Sequence, residues 1–184
     1  MSDSAGIDVG LLVLREAVGL LTTCHGLQKL THRFGGQGLT AAGEVFADMG
    51  FRGGIRTPLA AGGTQAFAGI LLVLGFLTPL GGSALLGVML VAVMANAPQG
   101  LWGQNGGYEY PLVLAGCGAV LALTGPGDLA VDTDVLDWRV PLWVGLVAIA
   151  VGAASAAVTG ALLRQAPVAA GEQAPAAVGG PPPR

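Results

Sequence analysis

Five apolar runs of membrane-crossing length, set apart by short polar breaks, leave this chain few folds to choose from. They lie at about Val9–Leu30, Thr57–Leu77, Leu80–Ala97, Tyr108–Thr124 and Val140–Leu163. At about 1.5 Å per residue, roughly 18 to 22 helical residues cross a hydrocarbon core ~30 Å thick. The fourth run is short and is expected to extend into its flanks. Thr78-Pro79 supplies a hairpin turn between the second and third, because proline cannot continue a helix and restrains the residue before it. Only 10% of the residues are charged, against about 25% in a soluble domain, so the chain lacks the polar surface to face water all round. The expected fold is all-α: a polytopic transmembrane helical bundle of four core spans plus a fifth, C-terminal span.

Between the runs the sequence is organised as follows. Residues 1–10 read as a short N-terminal tail, 11–132 as the core membrane domain, 140–163 as the additional helix, and 165–184 as a disordered tail rich in Pro, Ala and Gly. The N-terminus carries Asp3 and Asp8 and no Lys or Arg, and Arg15 and Glu16 would break an h-region, so the first run reads as a retained span and not a cleaved signal. Within the loop 31–56, Leu39, Ala42, Phe46 and Met49 recur at helical spacing opposite Glu44 and Asp48. That pattern predicts an amphipathic helix near 38–50 at the membrane interface. Lys29, Arg33, Arg52, Arg56 and Arg164 fall on one side of the bundle, and only Arg15 and Arg139 on the other. The bias predicts a cytoplasmic first loop and C-terminus; the membrane itself is expected to be a bacterial inner (plasma) membrane.

The punctuation of the runs resembles the DoxX family. The first run carries Leu-Arg-Glu-Ala-Val-Gly and then His25-Gly26-Leu27-Gln28-Lys29-Leu30, similar to the family's opening arginine and later His-Gly-x-x-Lys-Leu. Gly69 to Pro79 resembles its Gly-x-Leu-Leu-x-Leu-Gly-x-x-Thr-Pro. Asn105-Gly-Gly-Tyr-Glu109, and Gly125-Pro-Gly127 followed by Asp132, are similar to two further signatures in the same order. The resemblance spans about Leu11–Asp132. Two features depart from it: Gln65 stands where the family commonly has a glutamate, and the fifth run lies outside the four-span family core. The resemblance implies a small membrane protein linked to quinone or sulfur and oxidative-stress metabolism, some members being subunits of thiosulfate:quinone oxidoreductase.

The residues themselves offer four constellations. Arg15, Gly19, Thr22, Gly26 and Lys29 share one stripe of the first helix, a seam that must face protein, either as helix packing or as a ligand surface. A charge within the membrane needs a partner, and the matching depths of Arg15 and Asp132 predict a structural charge pair. At the opposite end His25, Gln28, Lys29, Gln65, Asn96, Tyr108 and Glu109, from four spans, fall within about 12 Å of one edge by their rise. Polar groups converging in an apolar bundle make a small-molecule pocket, with a quinone headgroup the natural ligand. The alternative is an internal hydrogen-bond network with Glu109 paired to Lys29. Cys24 and Cys117 share a depth as well, and are read either as a dithiol, if the first and fourth helices are neighbours, or as small apolar residues.

Other chemistries are not encoded. His25 and His32 lack a third ligand, so no metal is expected, and no Ser-His-Asp arrangement is legible. Gly100, Gly103, Gly106 and Gly107 follow no strand and read as a loop, not a phosphate cradle. A net charge of −3 with no basic run excludes a nucleic-acid partner. The leading expectation is an accessory or small subunit of a membrane redox system that meets lipid, quinone and other membrane or soluble redox proteins. The alternative is a non-catalytic scaffold or assembly factor that holds soluble partners.

Overall fold

The structure is a computed structural model that describes residues 3–164; the tail read as disordered at 165–184 lies outside them. Among the described residues the chain is helical throughout: α1 (Asp3–Leu30), α2 (Gly38–Asp48), α3 (Arg56–Leu74), α4 (Thr78–Asn96), α5 (Glu109–Thr124), the short α6 (Val131–Asp134) and α7 (Leu142–Leu163). Two 3₁₀ turns, Ala97–Gln99 and Gly103–Asn105, join α4 to α5. The chain is a helical membrane bundle. Three helices, Arg56–Leu74, Thr78–Gln99 (α4 with its following turn) and Leu142–Leu163, are long and apolar enough to cross a membrane, and Glu109–Thr124 is apolar but shorter.

Two helix ends differ from the sequence reading. The first helix starts at Asp3 and not near Val9, so most of the N-terminal tail is helical. Its 28 residues would measure about 42 Å, which carries Asp8 beyond the apolar layer to accept a hydrogen bond from the Asp128 N–H at 3.0 Å. The fourth apolar run does not extend into its flanks. It stops at Thr124 because Gly125 turns out of the helix at φ 72°. At its other end the Glu109 N–H donates to Leu101 O (2.8 Å), folding the preceding loop back on the helix start.

Packing follows the small residues. Helix α1 lies against α3, α3 against α4, and α4 also against α5 and α7, so α4 is central. A Cβ on Gly69 would stand 2.4 Å from Gly19 O, and one on Gly26 would stand 2.5 Å from Gly62 O. The two antiparallel helices therefore approach backbone to backbone, which lipid-embedded helices need because their association rests on close packing. The core where α1, α3, α4 and α5 meet comprises Val18, Ala68, Leu72, Leu85, Leu86, Met89, Leu114, Ala115 and Leu121. The fifth long helix, α7, buries little more than Gly145, Gly152 and Ala156, against α4 and α5. Many of its other apolar side chains, among them Trp143 (66% exposed) and Leu162 (70%), face outward, as a lipid-facing helix requires.

The connection after α2 meets the end of α7. Phe51 and Arg164 form an isolated antiparallel bridge, and the Arg52 N–H donates to Leu163 O at 2.8 Å. The first loop and the C-terminal end of α7 thus share one end of the bundle. Helix α2 packs over that end against α1 and α3. It turns Ala42, Phe46 and Met49 inward and leaves Glu44 and Asp48 exposed, as its apolar stripe predicts.

Candidate functional site

Beneath α2 lies a cavity of about 520 Å³, within the ~300–1,000 Å³ range of small-molecule sites. Five helices line it. The end of α1 brings His25, Gln28 and Lys29, the middle of α3 brings Gln65, the end of α4 brings Met89, Ala92 and Asn96, and the start of α5 brings Tyr110. The α2 stripe forms an apolar roof.

The polar groups are partly satisfied by one another. Lys29 Nζ donates to Gln65 Oε1 at 2.8 Å. Gln65 is 5% exposed, so this bond ties the ammonium to the middle of α3. Gln28 Nε2 donates to Phe34 O (3.0 Å), which turns Gln28 Oε1 toward His25 Nδ1 at 3.2 Å. An amide oxygen can only accept, so Nδ1 carries the proton, and Nε2 of the neutral ring is left as an acceptor. The His25 ring also meets Tyr110 edge-on, with centroids 5.5 Å apart. Asn96 Nδ2 donates to Ala92 O within its own helix (3.0 Å).

The structure brings His25, Gln28, Lys29, Gln65 and Asn96 together around the cavity, and leaves Tyr108 and Glu109 off its wall. Glu109 is exposed and accepts from the Gly103 N–H at 3.0 Å, so the alternative Glu109–Lys29 pair is not formed. Tyr110 takes the place expected for Tyr108. The sequence carries a signal for this: Tyr110, Leu114, Cys117 and Leu121 recur at intervals of four, three and four, and Leu114 and Leu121 are buried in the core. Tyr108 stands one residue before the helix, off that stripe.

The other end is built around two buried charges. Arg15 (1% exposed) donates through Nη1 to Leu72 O (3.2 Å) and Val73 O (3.4 Å), and through Nη2 to Leu129 O. Asp132 (0% exposed) accepts from the N–H groups of Leu77 (2.8 Å) and Thr78 (3.0 Å). The expected direct pair is therefore replaced by two caps. The cation binds unpaired carbonyls at the C-terminal end of α3, and the anion binds unpaired N–H groups at the N-terminal end of α4. Among the described residues the ion pair within 4.0 Å is Arg139–Asp128, at 3.1 Å on the surface.

The α1 seam serves packing for most of its length, with Gly19 and Gly26 against α3 and Arg15 capping it, while Lys29 at its end reaches the cavity. Both thiols are free and half-buried, and Cys117 packs against the apolar core as a small hydrophobe.

Residues 10–97, a little under half of the chain, match the DoxX family model. The Asn105–Glu109 and Gly125–Asp132 signatures lie beyond the matched stretch. No curated protein and no solved structure matches the chain.

Proposed function

We propose, from the match of residues 10–97 to the DoxX family model, that this membrane protein is a member of that family and a small subunit or accessory protein of a membrane redox system, binding a quinone headgroup beneath α2. The observation that carries the reading is the cavity itself. Lys29, His25, Gln65, Asn96 and Tyr110 arrive from four helices at one chamber whose other walls are mainly apolar. A quinone ring suits that lining, because its carbonyls need donors and its ring faces need apolar walls.

The residues take distinct roles. Lys29, held at Gln65, has further N–H groups to donate to a carbonyl oxygen. His25, with its proton on Nδ1 facing Gln28, offers Nε2 as an acceptor, which suits the hydroxyl of the reduced, quinol form. The pair can thus hold either redox state, with the proton at the quinol oxygen directed to His25. The α2 residues Ala42, Phe46 and Met49 give the ring an apolar roof. On the same reading the membrane is the bacterial plasma membrane, with the cavity at its cytoplasmic face.

The test is titration of a short-tailed quinone into the purified protein and its variants, with thermal unfolding as the control for fold. Lys29→Met and His25→Leu are expected to lose ~1–3 kcal/mol, or roughly ten- to a hundredfold in affinity, since each leaves a ligand oxygen unpaired. Glu109→Gln is expected to bind like wild type, because its carboxylate caps Gly103. Absence of saturable binding to the wild type, or wild-type affinity in both cavity variants, would sink the quinone reading and leave an internal polar network.

A further inference from the structure

The cavity under α2 has neighbours. A second hollow, of about 370 Å³, lies between α3, α4 and α7. Phe46 lines both. A third hollow, of about 250 Å³, shares Leu80, Ser83 and Val151 with the second and continues to Trp138. The second and third together make a slot along α4 and α7. Its α4 wall runs from Leu77 to Val91, about 21 Å at 1.5 Å per residue.

The chemistry changes at Phe46. On one side stand Lys29, His25 and Asn96. On the other, no charged side chain lines either hollow among the described residues, and three of the five hydroxyl groups in the lining donate to backbone carbonyls. Thr57 Oγ1 donates to Arg52 O, Ser83 Oγ to Ala148 O (2.7 Å) and Ser155 Oγ to Gly152 O (2.8 Å). With those three protons given to the backbone, and Thr64 and Thr159 as its other hydroxyls, the slot presents chiefly the methyl and methylene groups of Ala84, Val88, Val91 and Val151.

A chamber that carries charged and polar groups, beside a long and mainly apolar slot, has the shape of one amphiphilic molecule. Resting on the headgroup reading above, we propose that the slot between α4 and α7 holds the hydrocarbon tail of the molecule whose head occupies the cavity, with Phe46 as the threshold between them. The ligand is then a long-tailed quinone, and short-chain or polar analogues occupy only half of the site. Because a tail in lipid is already out of water, the slot contributes through close packing and not through the hydrophobic effect. Its filling is therefore sensitive to shape.

Short- and long-tailed quinones titrated in the same lipid–detergent micelles separate the two halves, since the ratio of variant to wild-type affinity cancels each ligand's partition into the micelle. Ala84→Phe and Val91→Trp fill the slot at two points without touching the head cavity, so either serves if the other fails to fold. The expected result is unchanged affinity for the short-tailed quinone and a loss of about tenfold for the long-tailed one. Equal effects on both ligands, or none on either, overturn the tail assignment and leave the head site standing. No saturable binding of either ligand to wild type overturns both.

Discussion

A charge buried in an apolar bundle must bind something, and Arg15 and Asp132 bind helix ends. Their shared depth is legible in the sequence; their partners are not, because the carbonyls of Leu72 and Val73 and the N–H groups of Leu77 and Thr78 belong to backbone that any residues could supply. The two caps nonetheless meet at one residue. The Asp132 N–H donates to Gly75 O at 2.9 Å, and a Cβ on Gly75 would fall 2.0 Å from Arg15 Nη1. At φ 58° that position also favours glycine. Arg15→Ala should cost on the order of 3 kcal/mol, as hydrogen bonds to a charged group are worth about 1.5–3 kcal/mol each. Asp132→Ala should cost about as much by leaving two buried donors unpaired. Since both side chains hold the same corner, the double variant should lose less than the sum, by about 0.5–3 kcal/mol. Thermal unfolding of the four proteins in detergent measures this, and strictly additive losses would show two independent caps.

At the scale of elements, the apolar runs give the number and order of the long helices because span length and hydropathy are local properties. Helix α2 is legible for the same reason, its stripe of Ala42, Phe46 and Met49 being a local periodicity. What periodicity along one helix leaves open is which partner each face meets. Depth alone therefore selects Tyr108 and Glu109 for the cavity, where the structure has Tyr110. The α1–α3 contact gives a direct test of small-residue packing. Gly69→Ala would place a Cβ 2.3 Å from Thr23 Oγ1 and 2.4 Å from Gly19 O, so the helices must part at a cost of ~1–3 kcal/mol. Gly63→Ala, on the same helix with nothing within 4 Å of its Cβ, should be neutral or slightly stabilising through its higher helix propensity. Comparable destabilisation in both variants, read by thermal unfolding, would mean that glycine matters here for some reason other than the approach of α1.

For the whole molecule, the charge count makes a prediction of which end faces the cytoplasm, and the structure sharpens that count. Arg15 caps α3 from inside the bundle, so it no longer counts as a loop charge at its end. That leaves Arg139 there, in a salt bridge with Asp128. The other end gathers Lys29, Arg33, Arg52, Arg56 and Arg164, and the bridge between Phe51 and Arg164 fixes the first loop and the end of α7 on one side. Positive residues are retained in the cytoplasm, so both segments should lie there, with the 125–139 loop outside. In a background with Cys24 and Cys117 replaced by alanine, single cysteines at exposed Arg33 and Asp137 report the two faces. A membrane-impermeant thiol reagent added to intact cells should label position 137 and spare 33 until the membrane is opened. A phosphatase fused after Arg164 should be inactive, and a fluorescent protein there should glow. Labelling of position 33 from outside would invert the bundle and place the polar cavity on the outer face. Labels at 33 and 164 that report opposite compartments would instead contradict the Phe51–Arg164 bridge, and with it the packing of α7 on which the slot beside α4 depends.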